Sequence, residues 1–284
     1  MRLAGPTASG KSALAMRLSA ETGGTVVCAD SMQLYRDLRI LTARPSEADE
    51  TAVPHALYGS VDPARRYSVG KWLRDLDRLD APRPWIVTGG TGLYFNALEQ
   101  GLADVPEVPW QLREEIEQRT AKLGAPAMHA DLMELDSEGA VALDPNDGQR
   151  IGRALGVCLV TGKPMREFVT APRGGEGVVR IVLEPARPVL RERIAGRFRR
   201  MMGEGAVEEV RDLLARDLDP TLPAMKAIGV REIGAMLRGE MTEAEAIERA
   251  IIATRQYAKR QSTWFRNQFG PKWRRIAHAD ELDG

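Results

Sequence analysis

Eight residues near the start of the chain constrain its fold more than any other feature. Gly5-Pro6-Thr7-Ala8-Ser9-Gly10-Lys11-Ser12 is an intact GxxxxGK[ST] pattern. The glycines let the backbone curl so that successive N–H groups and a helix N-terminus point at phosphate oxygens. Lys11 then reaches the phosphates, and the Ser12 hydroxyl is placed to hold Mg²⁺. The pattern carries meaning when a strand precedes it and a helix follows. The helix is legible: KSALAMRLSAE sets Leu14, Ala15 and Leu18 at helical spacing, and Gly23-Gly24 ends it. Only Met1-Arg2-Leu3-Ala4 stand before the loop, short for a central strand, so the expectation is a first strand that lacks a few residues.

The rest of the first hundred residues alternates strand and helix. Residues 25–29, TVVCA, and Trp85-Ile86-Val87 are short β-rich runs without polar alternation, as strands buried on both faces read. Gly89-Gly90-Thr91-Gly92 follows the second run, and LYFNALEQ reads as a helix. Residues 178–183 form a third run. The expected fold class is α/β, a P-loop NTPase-like parallel sheet flanked by helices. Residues 110–123, 126–135 and 147–160 all read as helices with no strand between them, which makes 110–177 an all-helical insertion domain. It interrupts a core domain of residues 1–109 and 178–284, whose C-terminal part is helical through about Gln268. Pro106–Pro109 and Pro172–Gly177 are the expected hinges.

Composition narrows the class further. Apolar residues make up 43% and charged residues 28% of the 284, which excludes disorder and low-complexity scaffolds. Cys28 and Cys158 stand apart, in no CxxC or Cys/His cluster, so neither a disulfide framework nor a structural zinc site is expected. No apolar run approaches the ~20 residues that cross a bilayer. A cytoplasmic, soluble protein is the expectation. Residues 180–275 carry 20 Lys and Arg against 13 Asp and Glu; that excess is either a nucleic-acid footprint or a set of solvated helix faces.

The cradle does not say which phosphate compound it holds. In an open α/β sheet, ligands gather at the carboxyl ends of strands, so Asp30-Ser31 and Gly89–Gly92 should face the loop. Asp30 reads equally as a metal-holding carboxylate or as a general base on a hydroxyl or amine. Thr91 reads as a phosphate contact or as a helix cap.

Nine segments together carry a resemblance. GPTASGKS at 5–12, ADSMQLYR at 29–36, ARPS at 43–46, VPHAL at 53–57, GGTGLYFNAL at 89–98, DPNDGQRIGRAL at 144–155, TGKP at 161–164, AIGVRE at 227–232 and TRQYAKRQSTWFR at 254–266 resemble, in order, the tRNA dimethylallyltransferase family, also called tRNA isopentenyltransferases or IPP transferases. The resemblance implies transfer of a dimethylallyl group from dimethylallyl diphosphate to the exocyclic amine of the adenosine on the 3′ side of the anticodon. It implies that Gly5 to Ser12 hold an isoprenoid diphosphate with Mg²⁺ as cofactor, that Asp30 is the general base, and that Thr91 orients the reacting groups. Arg197 resembles the family's diphosphate-contacting arginine, although Arg193 fits nearly as well.

The same resemblance implies contact with a tRNA anticodon stem-loop. Asp30, Ser31, Met32, Gln33 and Thr91 would meet the target adenine, Gln33 with an amide that both donates and accepts. Arg113, Gln149, Arg150, Ile151, Gly152 and Arg153 match one further RNA-contacting stretch, and Lys226, Gly229, Arg231, Lys259, Arg260 and Gln261 match others. Trp264 and Phe265 have two readings, stacking on a base or packing on the sheet, and the helical spacing of Tyr257, Gln261, Trp264 and Phe265 favours packing. Arg44 replaces the lysine common in ARPS-like segments. The expected unit is a monomer without membrane contact, and the alternative function is a P-loop small-molecule kinase with Asp30 on the metal.

Overall fold

The computed structural model describes residues 1–102, 105–173 and 177–282. The chain divides into two compact units, Met1–Asn96 with Gly174–Gly284, and Ala97–Arg173.

The larger unit is built on six strands, all paired in parallel. In chain order its first elements are β1 (Arg2–Ala4), α1 (Lys11–Thr22), β2 (Thr25–Cys28), α2 (Glu47–Ala52), β3 (His55–Ala56), α3 (Val69–Asp77), β4 (Trp85–Gly89) and the start of α4 (Gly92–Gln100). The inserted unit holds the end of α4 with α5 (Trp110–Leu123), α6 (Ala125–Leu135), α7 (Ser137–Val141) and α8 (Gly148–Thr161). The chain then returns through β5 (Arg180–Leu183), α9 (Arg187–Gly203), α10 (Ala206–Ala215), α11 (Val230–Leu237), α12 (Glu243–Gln268) and β6 (Arg274–Ile276).

The sheet order is β3-β2-β4-β1-β5-β6. The three-residue β1 lies at its centre, bonded to β4 on one side and β5 on the other, so its carboxyl end delivers the loop of residues 5–12 into the middle of the sheet's edge. All three of its side chains are buried. Leu3, Val26, Ile86 and Ile181 meet Leu14 and Ala15 of α1 in one apolar cluster, which fixes α1 over the sheet. A second cluster, Phe95, Phe265, Phe269 and Trp273, joins α4 to the end of α12, with the Phe269 and Trp273 rings stacked at 3.9 Å. Phe265 has no exposed surface, so of its two readings packing is the one observed.

Two strands escape the pattern seen in sequence. β3 has two residues, and β6, Arg274-Arg275-Ile276, buries only its isoleucine. Such short strands hold too few side chains to show a period.

The inserted unit packs Ile116, Met128, Leu132, Ile151 and Leu155 into its own core. Its stem is made by the entering and leaving chain: Thr170 N–H donates to Leu102 O at 2.8 Å and Arg173 N–H to Leu98 O at 2.9 Å. The unit begins at Ala97, before the residue 110 expected from helix pattern alone. Of the expected hinges, the Pro106–Pro109 stretch is tied to α5 and α8, because Arg113 donates to Val108 O and Val108 lies against Gly156. The other stretch includes Gly174, Gly175 and Glu176, which lie outside the described residues. Among the described residues, no helix is long and apolar enough to cross a membrane.

Candidate active site

The loop between β1 and α1 takes the form its glycines allow. Gly10 has φ +96°, Ala8 also adopts a left-handed φ of 63°, and Leu14 N–H closes the first helical turn onto Gly10 O. A Cβ on Gly5 would stand 2.6 Å from Leu183 O, so only glycine lets the loop leave the sheet here. Lys11 folds back over the loop, its Nζ 3.3 Å from Pro6 O. Burial, opposed by the carboxylate of Asp30 and aided by the nearby Arg197, pushes Lys11 down to about 8.

Asp30 follows the carboxyl end of β2, beside the loop. Trp72 of α3, fully buried and stacked on Tyr94, donates its indole N–H to Cys28 O at 2.7 Å and so fixes the chain immediately before Asp30. One Asp30 oxygen accepts from Met32 N–H at 3.0 Å. The other lies 3.2 Å from the position a Cβ on Gly90 would take, so the glycine after β4 leaves space for the carboxylate. Thr91 accepts from Ser31 N–H at 2.9 Å and donates to Ser31 Oγ at 3.2 Å; it holds the Asp30-Ser31 turn and also contacts the Tyr257 hydroxyl.

Both arginines left open by the sequence reach the loop, at different places. Arg193 donates to Ser9 O at 3.1 Å, whereas Arg197 donates to the Thr7 hydroxyl at 2.5 Å and faces a cavity of about 320 Å³. Its lining mixes polar groups, Thr7, Asp30, Arg197, Lys226, Tyr257 and Arg260 among them, with an apolar wall of Leu41, Ile194, Phe198, Met201 and Ile228. Burial lowers Arg197 below the ordinary guanidinium range. Two desolvated cations against one carboxylate leave an excess of positive charge that an anion would offset. Tyr257 is expected from sequence only as part of a packing face shared with Gln261, Trp264 and Phe265; the structure instead puts it on the cavity.

The remaining expected contacts divide by burial. Lys226, Arg231, Lys259 and Arg260 are exposed on the larger unit, and Lys259, Arg260 and Trp264 border an open groove of about 470 Å³ along α12. Arg113, Gln149, Arg150 and Arg153 are exposed on the inserted unit. Ile151, expected among the RNA contacts, is instead fully buried in that unit's core, because α8 presents it on the same face as Ala154 and Leu155. Gly152 lies 3.0 Å, by its absent Cβ, from Ile116. Gly229 is also buried and seats Leu41 against its bare α-carbon. Gln261, expected on the RNA surface, is 5% exposed, with its amide bonded at both ends to Thr7 N–H and Gly90 O. Gln33 gives both amide hydrogens to Thr42 O and Ala43 O at 2.9 and 2.8 Å. Met32 lines the cavity. Arg44 donates to the carbonyls of Tyr35 and Arg36, bracing the same turn.

Among the described residues no group of three or more His, Cys, Asp or Glu gathers to hold a metal. A Mg²⁺ ion that takes most of its ligands from substrate phosphates and water needs few protein donors, and the Ser12 hydroxyl, at the start of α1, is the donor that fits it.

The IPP transferase family model matches residues 33–268, and the isopentenyl transferase model matches residues 1–54. The chain is 52% identical over 290 residues to the tRNA dimethylallyltransferase of Sinorhizobium medicae, covering 99% of this chain and 95% of that one. It is 52% identical over 283 residues to the tRNA dimethylallyltransferase of Agrobacterium fabrum, covering 96% and 95%. Two solved structures are similar in sequence and fold. The tRNA isopentenylpyrophosphate transferase of Bacillus halodurans has 32% identity and a TM-score of 0.63 over 97% of this chain and 88% of that one. The tRNA isopentenylpyrophosphate transferase of Staphylococcus epidermidis has 27% identity and a TM-score of 0.65 over 99% and 96%. With the family model spanning most of its length and relatives of this identity covering nearly all of it, the chain belongs to the IPP transferase family.

Proposed function

We propose that the chain transfers a dimethylallyl group from dimethylallyl diphosphate to N6 of the adenosine 3′-adjacent to the anticodon, position 37, of tRNAs reading codons that begin with U. The products are N6-dimethylallyladenosine and diphosphate. The observation that carries this reading is the mixed lining of the cavity: the cations Arg197, Lys226 and Arg260 and Thr7 of the P-loop occur together with an apolar wall of Leu41, Ile194, Phe198, Met201 and Ile228, the two kinds of surface that an isoprenoid diphosphate needs.

The backbone of Gly5 to Ser12, Lys11 and Arg197 bind the diphosphate and stabilise the charge that grows on it as the C1–O bond breaks. Mg²⁺, held by Ser12 and phosphate oxygens, would neutralise part of that charge. N6 bonds to C1, and Asp30 accepts the N6 proton. Thr91 keeps Asp30 and its neighbours in position, and the apolar wall excludes water from the electrophilic carbon. The adenine leaves its stack to reach Asp30, at a cost of roughly a few kcal/mol. The exposed basic residues of α12 and of the inserted unit contact phosphates and set the register of the stem-loop. A cytoplasmic setting suits two buried, unpaired thiols.

Incubating the protein with an anticodon stem-loop, Mg²⁺ and labelled dimethylallyl diphosphate tests the reading. Label is expected on adenosine, with release of one diphosphate per transfer. Turnover of ATP onto a small metabolite, without label on RNA, would replace it with the kinase alternative.

A further inference from the structure

A carboxylate that plays no part in the steps above holds one wall of the cavity. Glu209, half-buried in the first turn of α10, accepts from Ile40 N–H at 2.7 Å and from Leu41 N–H at 2.9 Å, one bond to each oxygen. These two amides belong to a turn closed by Ala43 N–H to Ile40 O and Arg44 N–H to Arg39 O, both 2.9 Å. The tip of the turn rests on two glycines. A Cβ on Gly205 would stand 3.1 Å from Ile40, and one on Gly229 2.7 Å from Leu41 and 3.4 Å from Phe198.

The turn connects to the site in two ways. Leu41 and Thr42 line the cavity beside Phe198 and Ile228, and the carbonyls of Thr42 and Ala43 hold the Gln33 amide. A first-turn Glu is commonly explained by the helix dipole alone. That explanation does not account for a side chain turned toward another segment and bonded to two consecutive amides of it.

We infer that Glu209 is a positioning residue for the proposed reaction: by fixing the amides of Ile40 and Leu41 it keeps the 38–43 turn in place as the wall against which the prenyl chain lies and as the anchor of Gln33. The inference rests on the prenyl-transfer reading for its consequence and on the geometry alone for the clamp. Glu209 touches neither Asp30 nor the P-loop, so its loss should act on binding, with the chemical step spared.

Glu209→Gln keeps the size but sets an NH₂ against one of the two N–H donors. In this variant the Kd and KM of dimethylallyl diphosphate should rise about tenfold, a 1.4 kcal/mol loss, with kcat within about threefold of wild type, and the Ile40 and Leu41 amides should exchange with solvent faster. Leu41→Ala, which leaves the clamp whole and trims the wall, should raise the same Kd. A lower melting temperature in Glu209→Gln with unchanged Kd and KM would overturn the positioning role, as would an unchanged Kd in Leu41→Ala even if Glu209→Gln failed to fold. Wild-type protein that yields no prenylated RNA would strike the reaction itself; amide exchange in Glu209→Gln would still decide the clamp, and unaltered exchange would remove it.

Discussion

Gln261 and Thr7 stand 254 residues apart and are joined by a 2.9 Å hydrogen bond from the Thr7 N–H to the Gln261 side-chain oxygen. The other end of the same amide donates to Gly90 O at 2.9 Å. One side chain of α12 therefore ties the phosphate loop to the turn after β4, the two segments that flank Asp30. Gln261→Leu preserves the bulk and strands both partners, at about 1–3 kcal/mol for each buried group left unpaired. The expected outcome is a 10- to 100-fold fall in kcat/KM together with a lower melting temperature, measured by steady-state transfer to a stem-loop and by thermal denaturation; an unaltered kcat/KM would mean the clamp does not shape the loop.

Asp30→Asn removes a proton acceptor while keeping the shape of the side chain and its bond from Met32 N–H. Turnover should fall by ~10²–10⁴ with stem-loop affinity nearly intact, the range expected for loss of a general base. Single-turnover labelling and an RNA-binding titration on the same preparation separate the two. If the rate of transfer is unaffected, the proton goes elsewhere.

The parts of this site that repeat a local rule could be read from the chain, and those that depend on distant partners could not. The P-loop was legible because its backbone geometry demands glycine at fixed places, and Asp30 because it follows an apolar strand whose carboxyl end must face the loop. Gln261 was visible as part of a basic stretch, but its burial depends on Gly90 and Thr7 meeting it from two other segments. Ile151 misled for a related reason: its neighbours Gln149, Arg150 and Arg153 are exposed, and only the helical phase of α8 turns it inward. Glu209 resembled an ordinary first-turn acid, since nothing near it in sequence reveals the turn that it holds. β3 and β6 were missed because strands of two and three residues are defined by the neighbours they bond to.

Lys11 gives the site a pH dependence of known sign. Its ammonium loses the proton near pH 8, below the ordinary lysine value of 10.5. Between these pH values the unfolded chain holds more protons than the folded one, so Lys11's contribution to the stability of the unliganded protein rises with pH across that window. Anion binding runs the opposite way, since it needs the charged form. The affinity for pyrophosphate should weaken about tenfold for each pH unit above 8. Calorimetry at pH 7 and pH 9 measures this, and Lys11→Met should bind weakly at both with the pH dependence gone; an equal dependence in the variant would assign the titration to another group.

Gly92 is required by packing. A Cβ there would fall 2.1 Å from the Trp264 ring, which is itself held by edge contacts to Phe265 and Phe269 at 5.9 and 5.4 Å. Gly92→Ala should cost about 1–3 kcal/mol by overpacking, visible as a melting temperature lower by roughly 2–10 °C. Trimming the ring in the same chain, Gly92→Ala with Trp264→Leu, should lose less than the sum of the two single changes, because the residues share one contact. Additive losses would show that the strain is relieved elsewhere.

Lys259 separates the two readings of the basic C-terminal third. It is exposed on α12 beside Arg260 and borders the groove along that helix, where a phosphate would meet its ammonium without desolvating it. Each phosphate contact releases condensed counterions and adds about 0.7–0.9 to the slope of log affinity against log salt. Lys259→Ala should therefore weaken stem-loop binding and flatten that slope by about one unit or less, while kcat at saturating RNA stays near wild type because Asp30 and the P-loop are untouched. Titrations at a series of salt concentrations measure the slope directly. A slope identical to wild type would place Lys259 among the solvated helix-surface charges and confine the RNA footprint to other residues.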